Sequence, residues 1–210
     1  MSKACVIIAL IASILAGGSS IRIGFGIDKC FYSTHSKPLI LHIVERLRNS
    51  RLFEEVYVFV SYRNAQHAWE LGLNTAIDVI ECGPLSAIYQ LIKMFKEVFV
   101  VACDMPFISI NNIERLLLQC SEDAVACIPR WSSTKFLEPL YAIYRRDATD
   151  LFEKCFALGE LSIAKCIAGL NKVRFVNVES TFIEPHKEFF NVNTFEELKL
   201  VGDTHPWLAR

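Results

Sequence analysis

The sequence predicts a three-layer α/β/α domain with a mainly parallel central sheet, and three observations lead there. Short Ile/Val-rich runs alternate with helical patterns along the chain, the order expected of strand–helix–strand units. The run at residues 97–103 (Glu-Val-Phe-Val-Val-Ala-Cys) is almost wholly apolar, as a strand covered on both faces must be. No Pro-, Ser- or Gly-rich linker and no internal repeat interrupts the 210 residues, so a single domain is expected.

Residues 4–16 form an uncharged apolar run that enters the turn Gly17-Gly18. Ile and Val within it suit a buried strand. With Lys3 ahead of it and small residues behind, the same stretch imitates a secretory signal, which would make the chain an exported or membrane-tethered binding protein. It is too short to cross a bilayer, which takes ~20 residues. Pro38 opens an amphipathic helix that places Leu39, Ile40, Ile43, Val44 and Leu47 on one face. A strand at 54–61, a short helix at 65–71 and a strand at 76–80 follow. Gly83-Pro84 then begins a helix with Leu85, Ile88, Leu91, Ile92 and Phe95 at helical spacing. Beyond the apolar strand, residues 109–120 read as a helix capped by Ser109 or Asn111. Strands are expected at 124–129, 140–145, 172–178 and 189–192, helices near 148–157 and 162–168, and a long surface loop at 130–138.

Composition narrows the function classes. With 52% hydrophobic and 21% charged residues, the chain is not a disordered one. Lys and Arg (22) nearly cancel Asp and Glu (23), which argues against nucleic acid or another extended polyanion as partner. The charge is unevenly spread, however. The first 51 residues hold seven Lys/Arg against two Asp/Glu, so that quarter suits an anion. No further uncharged run is long enough to act as a membrane span. The eight cysteines are irregularly spaced, without a C-x-x-C. Cys103 and Cys127 sit at or within apolar runs, as small buried hydrophobes do. Mostly free core thiols in a reducing, cytoplasmic setting are expected, with some disulfides as the alternative. The five histidines show no metal-ligand spacing.

Two features carry chemistry. The first is Leu15-Ala16-Gly17-Gly18 followed by Arg22, Gly24, Gly26 and Lys29. A strand running into a glycine turn can aim backbone N–H groups at an anion. Arg22 adds a bidentate fork and Lys29 a point charge. Neither G-K-[ST] nor G-x-G-x-x-G is present. The second is Asp104, which follows the apolar strand directly. That places a carboxylate at the carboxyl edge of a parallel sheet, where ligands of α/β proteins bind. With triphosphate oxygens and water it suits Mg2+; a helix-capping or turn carboxylate before Pro106 is the alternative. Gly83-Pro84 marks a helix start. On a strand at 189–192 and just beyond, Asn191 and Asn193 would face one side, while Thr194 and Glu197 have capping-box spacing.

The loop from Leu15 to Lys29 resembles the signature of GT-A-type nucleotidyltransferases. The further motifs Gly83-Pro84-Leu85, Cys103-Asp104-Met105-Pro106, Glu138-Pro139-Leu140-Tyr141 and Asn191-Val192-Asn193-Thr194 with Glu196-Glu197-Leu198 are similar in order to the molybdenum cofactor guanylyltransferase (MobA-type) family across nearly the whole chain. Lys29 lies one residue further from Arg22 than is usual there, and Ile23 stands in place of the usual Met. The resemblance implies a Rossmann-like nucleotidyltransferase fold, with nucleotide binding up to about residue 105 and acceptor binding beyond. It implies transfer of GMP from GTP to the terminal phosphate of molybdopterin or Mo-molybdopterin with Mg2+ as cofactor. It further implies that Arg22, Lys29 and Asp104 are catalytic. Leu15, Ala16, Gly17, Gly18, Arg22, Lys29, Glu81, Gly83 and Pro84 would bind nucleotide, with Asp78 a second candidate for reading the base. Asp104 and Asn193 would hold the metal, and Asn191 and Asn193 the acceptor. A related enzyme using CTP, or acting on a cobinamide or sugar phosphate, stays open, as does an inert nucleotide-binding relative.

Overall fold

The structure is a computed structural model that describes residues 10–17, 22–23, 27–34, 37–169, 171–194 and 196–198. β1 (Ile11–Ala16) is followed by the two-residue strands β2 (Arg22–Ile23), β3 (Ile27–Asp28), β4 (Ser33–Thr34) and β5 (Lys37–Pro38), which pair as the antiparallel ribbons β2–β3 and β4–β5. Then come α1 (Leu39–Ser50), β6 (Glu55–Ser61), α2 (Ala65–Glu70), β7 (Thr75–Asp78), α3 (Pro84–Met94), β8 (Glu97–Ala102), α4 (Ile110–Gln119), β9 (Ala126–Arg130) and β10 (Tyr141–Arg145). α5 (Thr149–Ala157), α6 (Ile163–Ala168), β11 (Val173–Asn177) and the single turns α7 (Val178–Thr181) and α8 (Pro185–Glu188) complete the order.

Seven strands form one sheet in the order β11-β9-β10-β8-β1-β6-β7. All are parallel except β10, which runs antiparallel to both β8 and β9. The exception follows from a short connection. The loop from Trp131 folds β9 back onto β10 with a bridge between Arg130 and Leu137, whereas parallel neighbours need a crossover. The strand reading of the N-terminal apolar run holds over Ile11–Ala16; residues 4–9 lie outside the described residues. β1 is central, flanked by β6 and β8, with Ala12, Ile14 and Ala16 fully buried.

Two apolar clusters cover the two faces. One joins Ala12 and Ile14 to α1 (Ile40, Ile43, Leu47) and α4 (Ile113, Leu116). The other joins Val98 and Val100 to α3 (Leu85, Ile88, Leu91), α5 (Phe152) and α6 (Ile167). The three-layer arrangement expected from the sequence is therefore present, with α1 and α3 burying the stripes their spacing marked out. Among the described residues no helix is long and apolar enough to cross a membrane.

Two expectations are corrected. Residues 189–192 are not a strand. Phe189 N donates to Pro185 O and Phe190 N to Lys187 O, closing α8, and Val192 N donates to Asp104 O at 2.8 Å. The apolar pattern there comes from Phe189 anchoring edge-on against Tyr141 and Phe182. Most cysteines are also not free thiols. Cys30–Cys103, Cys120–Cys127 and Cys155–Cys166 are disulfides, while Cys82 is free and exposed and Cys5 lies outside the described residues. Pairing depends on Cα separations of 5.6–6.0 Å created by the fold, and sequence spacing does not encode them.

Candidate active site

The chain turns outward from β1 in two directions: to β6 and β7 on one side, and to β8 on the other. At such a switch point the loops beyond the carboxyl ends diverge and leave a crevice. A cleft of about 530 Å³ lies there, walled by the ends of β1 (Leu15, Gly17), β6 (Ser61), β7 (Asp78) and β8 (Ala102, Cys103), with Asp104 next in the chain. Gly17 is required by close approach. A Cβ at this position would lie 2.9 Å from Ser61 N and 3.3 Å from Val60 C, both backbone atoms, so only glycine lets β1 leave the sheet against β6. Gly83 is required by conformation. Its φ of +86° turns the chain into α3, with Pro84 at the first helical position.

Lys29 and Asp104, 75 residues apart in sequence, meet across this cleft. Lys29 Nζ donates to Asp104 Oδ2 at 2.9 Å and to the carbonyl of Val192, and the lysine side chain is only 8% exposed. The other carboxylate oxygen, Asp104 Oδ1, is buried and has no hydrogen-bond partner among the described residues. A buried acceptor left unpaired is rare, and it points to a ligand or function. An anionic hard-oxygen donor of this kind suits Mg2+.

Two further aspartates shape turns that line the cleft. Asp28 is buried and pins the turn below Lys29, accepting from Cys30 N at 3.0 Å and from Asn64 Nδ2 at 3.3 Å; Asn64 Nδ2 also donates to the Ala16 carbonyl at 2.9 Å. Asn64 thereby ties the glycine turn to the Lys29 turn. Asp78 Oδ1 accepts from the amides of Ile80 and Glu81 and from Gln90 Nε2, which shapes the turn into α3. Glu81, at φ +51°, accepts from Tyr62 N at 3.1 Å.

Among the residues the sequence nominated, Leu15, Gly17, Lys29, Glu81, Gly83, Pro84 and Asp104 line the cleft, as does the second base-reading candidate, Asp78. Ala16 is buried behind it and offers its carbonyl to Asn64. Gly18 and Gly24 to Gly26 lie outside the described residues; the backbone of Arg22 pairs opposite Asp28 in the β2–β3 ribbon. Asn191 and Asn193 are not among the residues lining the cleft. The prediction that alternation on a strand turns both to one face is corrected, because no strand is present. Asn191 Nδ2 donates to Phe189 O and Asn193 Nδ2 to Asn191 O. The capping box is formed: Glu197 Oε2 accepts from the Asn193 and Thr194 amides, and Thr194 Oγ1 accepts from Glu197 N. These amides hold the Glu197 carboxyl below its ordinary range. The box fixes the segment whose Val192 carbonyl receives Lys29. Sequence reasoning missed Asp28, Arg63, Asn64 and His67, which also line the cleft. No local motif marks them: Asp28 ends β3, Arg63 and Asn64 form the helical turn after β6, and His67 lies in α2.

Comparison with known proteins agrees with this geometry. The model of the MobA-like NTP transferase domain matches residues 12–173. Proteins named probable molybdenum cofactor guanylyltransferase are similar at 34% identity in Pyrococcus horikoshii, over 91% of this chain and 98% of that protein, and at 36% in Pyrococcus furiosus, over 90% and 95%. The crystal structure of molybdopterin-guanine dinucleotide biosynthesis protein A from Archaeoglobus fulgidus superposes with a TM-score of 0.73 at 26% identity, covering 92% of this chain and 97% of that one. A glycine turn against β6, a lysine–aspartate pair at the switch point and matches along nine-tenths of the chain have one common account: this protein is a nucleotidyltransferase and belongs to the MobA-like NTP transferase family.

Proposed function

We propose that the enzyme transfers GMP from GTP to the terminal phosphate of molybdopterin or its molybdenum form, releasing pyrophosphate. The observation that carries the chemistry is the Lys29–Asp104 pair with the orphaned Oδ1 of Asp104. The choice of guanine and of the pterin acceptor rests on what the similar proteins are named. In this reading residues up to about 105 bind nucleotide and those beyond receive the acceptor, in a cytoplasmic setting.

An acceptor phosphate is already ionised at neutral pH, so in-line attack on the α-phosphorus of GTP needs no general base. Positioning and charge neutralisation then supply the rate. The Gly17 and Gly18 amides and Arg22 would hold the β- and γ-phosphates. Lys29 would meet the charge that develops at the α-phosphate, held ready by Val192 O and Asp104 so that little reorganisation is left to the transition state. Asp104 would hold Mg2+, with Asn193 as a further donor; when bound, the ion neutralises triphosphate charge. Asn191 and Asn193 would contact the acceptor through their amide oxygens, each Nδ2 already donating to a backbone carbonyl. Glu81 or Asp78 would read the guanine edge from the β7–α3 turn.

The test is pyrophosphate release with each of the four NTPs and Mg2+, with and without molybdopterin. GTP- and molybdopterin-dependent release is expected. Release with CTP, or with a sugar phosphate as acceptor, would replace the substrate assignment, and GTP binding without any acceptor-dependent turnover would make the protein a nucleotide-binding relative.

A further inference from the structure

Of the three disulfides, two are local. Cys120–Cys127 and Cys155–Cys166 span 7 and 11 residues and join neighbouring elements, α4 to β9 and α5 to α6. The third, Cys30–Cys103, spans 73 residues and joins the immediate sequence neighbours of the two charged site residues, Lys29 and Asp104. Cys103 is anchored to the sheet, its amide donating to Leu15 O at 3.1 Å, and it lines the cleft. Cys30 is fully buried in the turn between β3 and β4. That turn is held by short bonds of its own, Cys30 N to Asp28 Oδ1 and Phe31 N to Asp28 O, and by Ile40 N to Cys30 O at the start of α1. β3, β4 and β5 have two residues each, and they pair only in two-stranded ribbons separate from the main sheet. The Lys29 turn therefore gains no ladder from the rigid sheet. The Lys29–Asp104 ion pair and this covalent bridge tie it to the β8 end.

We propose that Cys30–Cys103 is a reducible positioning tether for the reaction centre. Oxidised, it fixes the backbone at residue 30 against residue 103, so that Lys29 Nζ and Asp104 stay in register when a nucleotide pulls them apart to engage phosphate and metal. Two-electron reduction by a dithiol, through a mixed disulfide, breaks the S–S bond. It leaves two protein thiols, and the dithiol becomes a disulfide, so electrons and protons balance. The Lys29 turn then depends on non-covalent contacts alone, and small misplacements of groups that act on a transition state are costly. In a reducing cell, turnover would thus follow the state of this one bridge. The effect on turnover rests on the proposed nucleotidyl transfer.

The experiment poises the whole enzyme in oxidised and reduced dithiol buffers, assigns each bridge by alkylation and mass spectrometry, and measures GTP·Mg binding alongside kcat and KM. Reduction of Cys30–Cys103 is expected to lower kcat about 10-fold or more, with KM for GTP shifted by less than about threefold, and reoxidation to restore it. The paired change Cys30→Ser with Cys103→Ser should sit at the low kcat and ignore the dithiol. Cys155→Ser with Cys166→Ser should keep the response. Full kcat with the bridge reduced, or loss that tracks another bridge, overturns the tether. If the serine pair does not fold, reduction of the wild-type protein gives the same reading. If no NTP supports turnover, the functional reading fails, while amide exchange of the Lys29 turn in the oxidised and reduced protein still tests the tether: faster exchange at residues 29–31 on reduction is expected, and unchanged exchange overturns it.

Discussion

Asp104 and Glu188 are two carboxylates with opposite settings. Glu188 is 3% exposed, and both oxygens are occupied: Oε1 accepts from Ser109 N at 2.8 Å and from the Tyr141 hydroxyl at 2.7 Å, and Oε2 from Asn112 Nδ2 at 2.7 Å. It closes a seam between α8, the start of α4 and β10. Asp104 stands at the cleft wall with its side chain 22% exposed. It gives one oxygen to Lys29 and leaves the other, though buried, without a partner among the described residues. A carboxylate that holds a fold together is saturated, because each unmet buried group costs stability. One that serves chemistry keeps an acceptor free for what arrives.

The largest separation of the two should come from Asp104→Asn. It keeps the side-chain volume and an acceptor for Lys29 but removes the anion. Turnover is expected to fall about 100- to 1000-fold with a melting temperature close to that of the wild type, measured by single-turnover pyrophosphate release and calorimetry. Retention of more than about a tenth of the rate would remove Asp104 from the reaction centre. Glu188→Ala should do the reverse. It removes the acceptor that Ser109 N, Asn112 Nδ2 and the Tyr141 hydroxyl share and should lower stability by about 3 kcal/mol in urea titrations, while the folded fraction keeps its kcat.

The acid–base behaviour of Glu188 sharpens the contrast. Burial, opposed by the hydrogen bonds from Ser109, Tyr141 and Asn112 and by the Arg46 charge, lifts its carboxyl above the ordinary value of 4.5. A raised folded value means that the native state binds the proton more tightly than the unfolded one. Its stabilising contribution is therefore complete below pH 4.5 and declines as pH rises through the folded value. Wild-type urea midpoints should carry this slope, and Glu188→Gln should lack it.

Gly17→Ala ranks next. Its Cβ would press on the Ser61 and Val60 backbone and should cost about 1–3 kcal/mol, with a raised KM for nucleotide; an unchanged KM would detach the glycine turn from the cleft. The smallest effect belongs to Glu179, which accepts from the Ser132 and Ser133 amides and holds the β9–β10 loop. These bonds depress its carboxyl to about 2. The grip is thus present above pH 4.5 and lost as pH falls towards 2, which amide exchange at residues 132 and 133 should register as faster local opening.

The parts of the molecule differ in how far they can be read from the sequence. β1, β6 and β8 are legible because strands buried on both faces must be apolar throughout, and α1 and α3 because their Leu and Ile recur at helical spacing. The glycine turn, Lys29 and Asp104 are legible because a motif places them. Asn64, which joins Ala16 O to Asp28, has no such mark, nor does His67. They reach the cleft because the helical turn after β6 and the start of α2 lie beside the switch point. Residues 189–192 imitate a strand because aromatic anchoring and pleated burial both call for apolar residues at short intervals.

Residue order and type by themselves determined the layered α/β class, the glycine turn and the family's motifs, since these rest on local periodicity and on conformations only certain residues adopt. Only the tertiary structure decided that Lys29 reaches Asp104 and Val192, that Cys30 meets Cys103 across 73 residues, and that Glu188 is saturated while Asp104 is not. Each of these is a distance between segments remote in sequence, created by the way the sheet stacks its strands, and no local pattern carries it.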